Sequence, residues 1–427
     1  MAAGEGAARP RVFLFLQGPS SPLFVEIARR LEVAGSRCIR INLNAGDWIS
    51  WRWRNASNYR GNFAGWRAHV RQRIASEGVT DLILHGEERP YHRVAIEEAR
   101  SAGVTVNVVE MGYLRPDWVT LERGGLSSNS HFPAYILNAA SALPDPDWSR
   151  RYRQTFLAEA LYDLAYYLPT VFLWFLYPGY RRHGLYHPLM EYAGWLRKLP
   201  TSGARAREAD GVIDGLIASG KRFFVYPLQL QTDFQLRAHS PFHQQQDAIR
   251  LILRSFAENA DPDAHLVLKT HPLDHGLVNW RSYVERVAAS CGLSSRVHLI
   301  DGGSLDRLTA ASQGMVTVNS TAALSALQAG KPVKALGAAV YDIDGLSDQG
   351  DLDRFWREPA PPSPELLDAF FRLLAAAVQV RGNFCSRAGA DAAAQQIADR
   401  LLRQTVNLPD AYIDPRPRRR PTKLHVS

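Results

Sequence analysis

Cysteine is nearly absent from this 427-residue chain: Cys38, Cys291 and Cys385 are far apart and odd in number. That spacing supports neither a disulfide framework nor a thiolate metal site, and it fits a reducing compartment. A secretion signal is missing too. Residues 1–10 are small and polar and lead straight into RVFLFLQG (11–18), whose apolar run is too short for a signal peptide and reads as the first strand of a sheet. The one long apolar stretch, FLAEALYDLAYYLPTVFLWFLY at 156–177, has the length of a membrane span but is interrupted by Glu159, Asp163 and Pro169. It predicts one or two buried or interfacial helices; Tyr162, Tyr166, Tyr167, Trp174 and Tyr177 suit a boundary between apolar and polar surroundings. A helix lining a domain junction is the alternative. No short repeat and no nucleic-acid recognition module appears, and the basic residues are spread out, which argues against a nucleic-acid partner. No Asp-x-Asp falls at a predicted strand end, since 261–263 and 342–344 read as loops; no metal is therefore expected.

What is present is a globular composition, 46% hydrophobic and 22% charged, with a formal net charge of +8. The basic excess favours anionic partners such as nucleotides or lipid headgroups. The length exceeds one compact core and predicts two domains. Strand and helix patterns alternate over the first 110 residues, break in an aromatic-rich middle (110–200) and resume near 205. The expected fold class is α/β, two facing Rossmann-like domains with a central cleft. The expected boundaries are 10–200, 201–405 with a helix over 242–259, and a basic Pro/Arg-rich tail at 406–427 that is either solvated or in contact with a membrane.

Ligands of open α/β sheets bind beyond the carboxyl ends of the strands, so the residues following each predicted strand are the candidates. Gln17-Gly18 open a small-residue turn after the first strand. His85-Gly86-Glu87-Glu88-Arg89 form a dense polar loop, and Glu110 precedes the turn Gly112-Tyr113-Leu114-Arg115. A strand-end carboxylate suits acid–base work, although a turn or capping acid would look the same. In the second half, Gln229, Gln231, Asp233 and Gln235 crowd one strand mouth; Asp233 is either a nucleophile or a helix cap. Lys269-Thr270-His271-Pro272 can meet a phosphate, or His271 is simply a turn residue. Asn319-Ser320-Thr321 open a helix, either as caps or as a phosphate seat. Gly302-Gly303-Ser304 is a further loop that can line a base or ribose.

Taken in order, FLQGPSSPLF (15–24), RINLNAGD (40–47), GEERPYHRVAI (86–96), EMGYLRPDWVTLE (110–122), YPLQLQTDFQ (226–235), KTHPLDHG (269–276) and VNSTAALSALQAGKPV (318–333) resemble the capsule polysaccharide synthesis proteins, in their KpsS-like branch. The resemblance implies a GT-B retaining β-Kdo transferase, cytoplasmic and peripheral to the inner membrane face. It implies movement of Kdo from CMP-Kdo to a (lyso)phosphatidylglycerol-type lipid without a cofactor, in company with other capsule synthesis or export proteins. Carried onto this chain, it makes His271 and Pro272 with Ser320 and Thr321 the binders of the CMP phosphate, joined by Lys269 and Asn319. It sets Gln229 and Asp233 at the carboxylate-nucleophile position and Glu110 as acid/base. Gln17, Gly18, Arg89, Tyr113 and Arg115 fall on the acceptor or cleft side. Met111 stands where a second Glu is common in the family, and Glu87-Glu88 stand where Asp-Cys is frequent. Another CMP-sugar transferase, sialyltransferase-like, and a non-catalytic export component are the alternatives.

Overall fold

The computed structural model describes residues 10–51, 54, 56–136 and 138–424. Its strands are β1 (Val12–Phe15), β2 (Arg37–Asn42), β3 (Ser57–Asn58), β4 (Asp81–His85), β5 (Thr105–Met111), β6 (Trp118–Arg123), β7 (Phe223–Pro227), β8 (His265–Lys269), β9 (Val297–Ile300), β10 (Gly314–Thr317), β11 (Val333–Ala335) and β12 (Gln379–Arg381). They form a seven-stranded sheet, β12-β6-β5-β4-β1-β2-β3, and a five-stranded sheet, β11-β10-β7-β8-β9. The second is parallel throughout, and the first is parallel from β3 to β5 with antiparallel β6 and β12 pairings at its far edge. β1 (VFLF) is buried along its whole length, as continuous apolar strands of two-sided parallel sheets are.

Each parallel core has the Rossmann strand order 3-2-1-4-5, with its switch point between β1 and β4 in one sheet and between β7 and β10 in the other. The expected α/β class with two Rossmann-like units is therefore present. The units are interleaved in sequence: Met1–Leu126, Asp145–His183 and Leu374–Tyr412 form one, while Ser127–Pro144, Gly184–Leu373 and Ile413–Ser427 form the other. Sequence reading placed everything from 201 to 405 in the second unit, whereas the last long helix, Arg387–Arg403, packs on the first. Its Ala393, Ala394, Ile397 and Leu401 join Phe13, Phe24, Ile27 and Leu31 in one core, and Arg30 pairs with Asp391 at 2.5 Å. An apolar stripe specifies that a helix is buried, not which sheet buries it.

The basic tail also differs from expectation. Arg418 is buried and donates to the carbonyls of Phe132 (2.6 Å), Pro133 (2.8 Å), Ala339 (2.9 Å) and Val340 (2.8 Å). The Lys423 ammonium donates to Arg237 O (2.5 Å), Ser240 O (3.0 Å) and Phe242 O (2.6 Å). These cations satisfy backbone acceptors of the second unit, so residues 413–424 are a seated strap and not a solvated tail.

Among the described residues, no helix is long and apolar enough to cross a membrane. Helix Phe156–Phe172 carries Pro169 inside it and lies against helix Ala45–Ser50. A Cβ at Gly46 would collide with the Tyr166 carbonyl, so glycine there permits the close approach.

Candidate functional site

In the second unit the loops after β10, β7 and β8, three neighbouring parallel strands, leave one edge of the sheet, and they carry Ser320, Asp233 and His271. Gln229 and Asn319 clasp each other across the switch point: Gln229 Nε2 donates to Asn319 Oδ1 at 2.9 Å, and Asn319 N–H to Gln229 Oε1 at 3.2 Å. Asn319 Nδ2 donates onward to Gln235 O at 2.9 Å. Both side chains are buried, and their mutual hydrogen bonds brace the loops after β7 and β10. Asp233 takes the capping role: it is the N-cap of helix Phe234–Ala238, with Oδ1 accepting from Gln235 N–H at 2.8 Å. Ser320 Oγ accepts from Ala322 N–H at 3.2 Å, and the Thr321 side chain makes no cap bond. Gly302 and Gly303 have φ of +121° and +67°, and a Cβ on either would press on helix Ser202–Ala218. That close approach explains the glycine pair without a ligand.

Lys269 ends β8. It is buried, and among the described residues its ammonium makes no hydrogen bond or ion pair. Burial pushes its pKa down, Asp301 nearby opposes this, and Lys198 adds to it. Asp301 follows β9 and is bound by Lys198 (3.1 Å), Arg205 (2.9 Å) and the Thr270 hydroxyl (2.7 Å). Burial raises the Asp301 carboxyl, but Thr270 and Lys198 outweigh it and hold the pKa below the ordinary value. Sequence reading missed Lys198, Arg205 and Asp301, which lie far apart in the chain and outside any motif. His271 Nδ1 accepts from Leu273 N–H at 3.1 Å, which leaves the neutral ring's proton on Nε2. Pro272, the next residue, is exposed. Asp274 of the same motif is an anchor, accepting from Trp280 Nε1 at 2.9 Å and Gly276 N–H at 2.8 Å.

In the first unit, β4 and β5 end side by side at His85 and Glu110. His85 Nδ1 donates to Val109 O at 3.0 Å, and its Nε2 lies 3.7 Å from Glu110 Oε1. Burial lowers the His85 pKa despite the carboxylate, which favours the neutral ring with its acceptor nitrogen toward Glu110. Gly86, at φ +69°, leaves room for Glu110, whose Oε2 would lie 3.2 Å from a Cβ there. Glu87 is buried, accepts from Leu126 N–H at 2.9 Å, and has its pKa pushed up by burial to about 7. The Arg89 guanidinium makes no hydrogen bond or ion pair among the described residues, yet its charge lowers the pKa values of His92 and His183, which burial has already lowered most.

Other first-unit candidates are structural. Gln17 is fully buried and donates to the hydroxyls of Tyr166 (3.0 Å) and Tyr180 (3.2 Å). Gly18 is buried against Phe24, so neither residue lines an open surface. The RINLNAGD motif supports the same network: Arg40 pairs with Asp47 at 3.0 Å, Asp47 accepts from Tyr166 OH at 3.0 Å, and Asn44 caps helix Ala45–Ser50. Tyr113 donates to Glu122 at 2.7 Å within the β5–β6 turn. Arg115, in the same turn, is exposed.

A family model described as capsule polysaccharide biosynthesis protein matches residues 80–385. The capsule polysaccharide export protein KpsS of Escherichia coli is 30% identical over 384 residues, spanning 86% of this chain and 95% of that protein. The capsule polysaccharide modification protein LipB of Neisseria meningitidis serogroup A is 30% identical over 389 residues, 88% of this chain and 91% of that one. Among solved structures, the β Kdo 2,7 transferase KpsC of Thermosulfurimonas dismutans aligns at 15% identity with a TM-score of 0.42, over 92% of this chain and 99% of that one. With the family match running from β4 past β12, and relatives of 30% identity matched over nearly their whole length, the chain belongs to the capsule polysaccharide biosynthesis family.

Proposed function

We propose that this chain is a glycosyltransferase of capsule synthesis that moves Kdo from CMP-Kdo, with retention, to a (lyso)phosphatidylglycerol-type lipid. The observation that carries the reading is Lys269, a largely buried side chain whose ammonium makes no hydrogen bond or ion pair among the described residues, at the carboxyl end of β8 and two residues before His271. Burial disfavours the charged form of Lys269, and a bound anion would offset that effect. The cytidylate phosphate is that anion in this reading, with Lys269, the Nε2–H of His271, Thr321 and Ser320 around it. They offset the charge that builds on the leaving CMP, and no metal is required.

Retention requires two inversions. A carboxylate oxygen of Asp233 attacks the anomeric carbon as the bond to the CMP oxygen breaks, and the bonding pair leaves with CMP. An acceptor hydroxyl then attacks the same carbon, its proton passes to Glu110, and the bond to Asp233 breaks. The neutral His85 imidazole beside Glu110 supports this role, because its acceptor nitrogen can share the arriving proton. A lipid acceptor would place the enzyme at the cytoplasmic membrane face, alongside other capsule synthesis or export proteins.

The capping role of Asp233 is the observation that favours a non-catalytic export component. Mass spectrometry of the products from CMP-Kdo and lysophosphatidylglycerol tests both. The transferase reading expects a lipid heavier by one Kdo, lost in Asp233→Ala with CMP binding retained. Wild-type turnover by that variant removes Asp233 from the mechanism. No product from CMP-Kdo, with product from CMP-sialate, reassigns the donor.

A further inference from the structure

Helix Phe156–Phe172 is amphipathic in the reverse sense of a helix laid on a soluble core. Its protein-facing side is polar: Tyr166 OH accepts from Gln17 Nε2 (3.0 Å) and Asn44 Nδ2 (3.1 Å) and donates to Asp47 Oδ1 (3.0 Å). Thr170 Oγ1 donates to Asn44 Oδ1 at 3.2 Å. Glu159 and Asp163 fall on this same side by helical spacing. The opposite side holds Leu157, Leu161, Leu164, Ala165, Leu168 and Phe172 within a stripe of roughly 100°. Leu157, Leu161 and Phe172 are each more than half exposed, as are Trp174 and Phe175 in the short turn that follows. A contiguous apolar face of this kind, free of charged side chains along one helix, is not how a water-facing surface is built.

Charge brackets the stripe. Arg150 and Arg153 precede the helix, are exposed, and make no ion pair or hydrogen bond among the described residues; exposed Arg181 follows the turn. We infer that this face docks into the surface of an anionic phospholipid bilayer, with the Leu/Phe/Trp stripe at the acyl boundary and the arginines among the headgroups. A second copy laid antiparallel on the stripe would set Arg150 and Arg153 against the other copy's Arg181, like charge against like. An anionic lipid layer meets all three with opposite charge. The face lies within the first unit, and its evidence is independent of the transfer reading, for which it would supply access to a lipid acceptor.

The test is co-sedimentation of the full chain, without sugar donor, with phosphatidylcholine vesicles that do or do not contain phosphatidylglycerol. Wild type is expected to bind the anionic vesicles and to release as salt rises. The variant Leu161→Gln/Phe172→Gln/Trp174→Gln removes only exposed apolar groups, and its partition should fall by about tenfold or more. Arg150→Ala/Arg153→Ala should weaken binding to anionic vesicles alone. Circular dichroism and thermal melting confirm that each variant is folded. An apolar triple variant that is folded and binds as wild type does overturns the proposal. So does a wild type that ignores vesicles but forms a dimer, by light scattering, that the triple variant loses; the face then belongs to a second copy. Loss of transfer activity with vesicle binding intact would count against the catalytic reading and leave this one standing.

Discussion

Lys269 carries most of the functional reading, and its two roles pull apart experimentally. Lys269→Met removes a charge that burial disfavours and that no hydrogen bond holds among the described residues, so the folded chain should melt no lower than wild type while affinity for CMP falls by roughly 10–100-fold. Calorimetric titration with CMP beside thermal melting reads both; a lower melting temperature with unchanged CMP affinity would make Lys269 structural. Glu87 gives a pH signature. Its pKa is pushed up to about 7 from an ordinary 4.5, so between those values the folded chain holds a proton that the unfolded chain has lost. Its protonated form favours folding below about pH 4.5, and that contribution drains away as pH rises through 7. Glu87→Gln keeps the neutral shape, so its stability should gain on wild type between pH 5 and 8, by at most about 3 kcal/mol. Denaturant melts of both proteins at several pH values check it, and parallel curves would refute the assignment.

At the scale of elements, the sequence motifs divide into two kinds by their contacts. RINLNAGD and the Gly112–Trp118 turn hold backbone in place: Arg40, Asp47, Asn44 and Tyr113 all have buried or turn-bound partners. KTHPLD and the His85–Arg89 loop mix anchors (Asp274, Glu87) with basic groups at or just beyond a strand end (Lys269, His271, Arg89). Spacing alone cannot separate anchors from ligands, because Asp and Asn at a strand end can cap, brace or react with the same local pattern. Tyr166 is the pivot that seats the reversed helix on β1 and its neighbours. Tyr166→Phe should cost about 1–3 kcal/mol in urea unfolding, because it leaves Gln17 and Asn44 short of an acceptor in a buried site. A loss below experimental error would show that water replaces the hydroxyl.

Across the whole molecule, both units are closed by chain that sequence reading assigned elsewhere. Helix Arg387–Arg403 completes the first core, and the strap containing Arg418 and Lys423 binds the second. Arg418→Ala strips a charged donor from four buried carbonyl contacts, so the chain should lose about 3 kcal/mol or more of stability. Hydrogen exchange should show faster amides around 339–340 and 413–424, and unchanged protection there would mean that the strap contributes little. Truncation at 412 is expected to be worse than any single change, for it removes Lys423 as well.

The amino-acid pattern by itself determined the class of fold and where most of the parallel strands fall along the chain, because buried runs such as VFLF and FFVYP and the glycines that end helices are local signals. It also marked the strand-end loops where Glu110, Asp233, Lys269, His271 and Ser320 reside. It did not reveal β3 or β12, of two and three residues, or the antiparallel strand β6 between β5 and β12, inside the stretch where the alternating pattern breaks. Only the tertiary structure decided which of those polar residues are spent on the protein itself: Gln229 on Asn319, Gln17 on Tyr166, Arg418 on backbone carbonyls, and Lys269 on nothing among the described residues. The physical reason is that hydrogen-bond satisfaction and desolvation are properties of neighbours in space, whereas periodicity and turn chemistry are properties of neighbours in sequence.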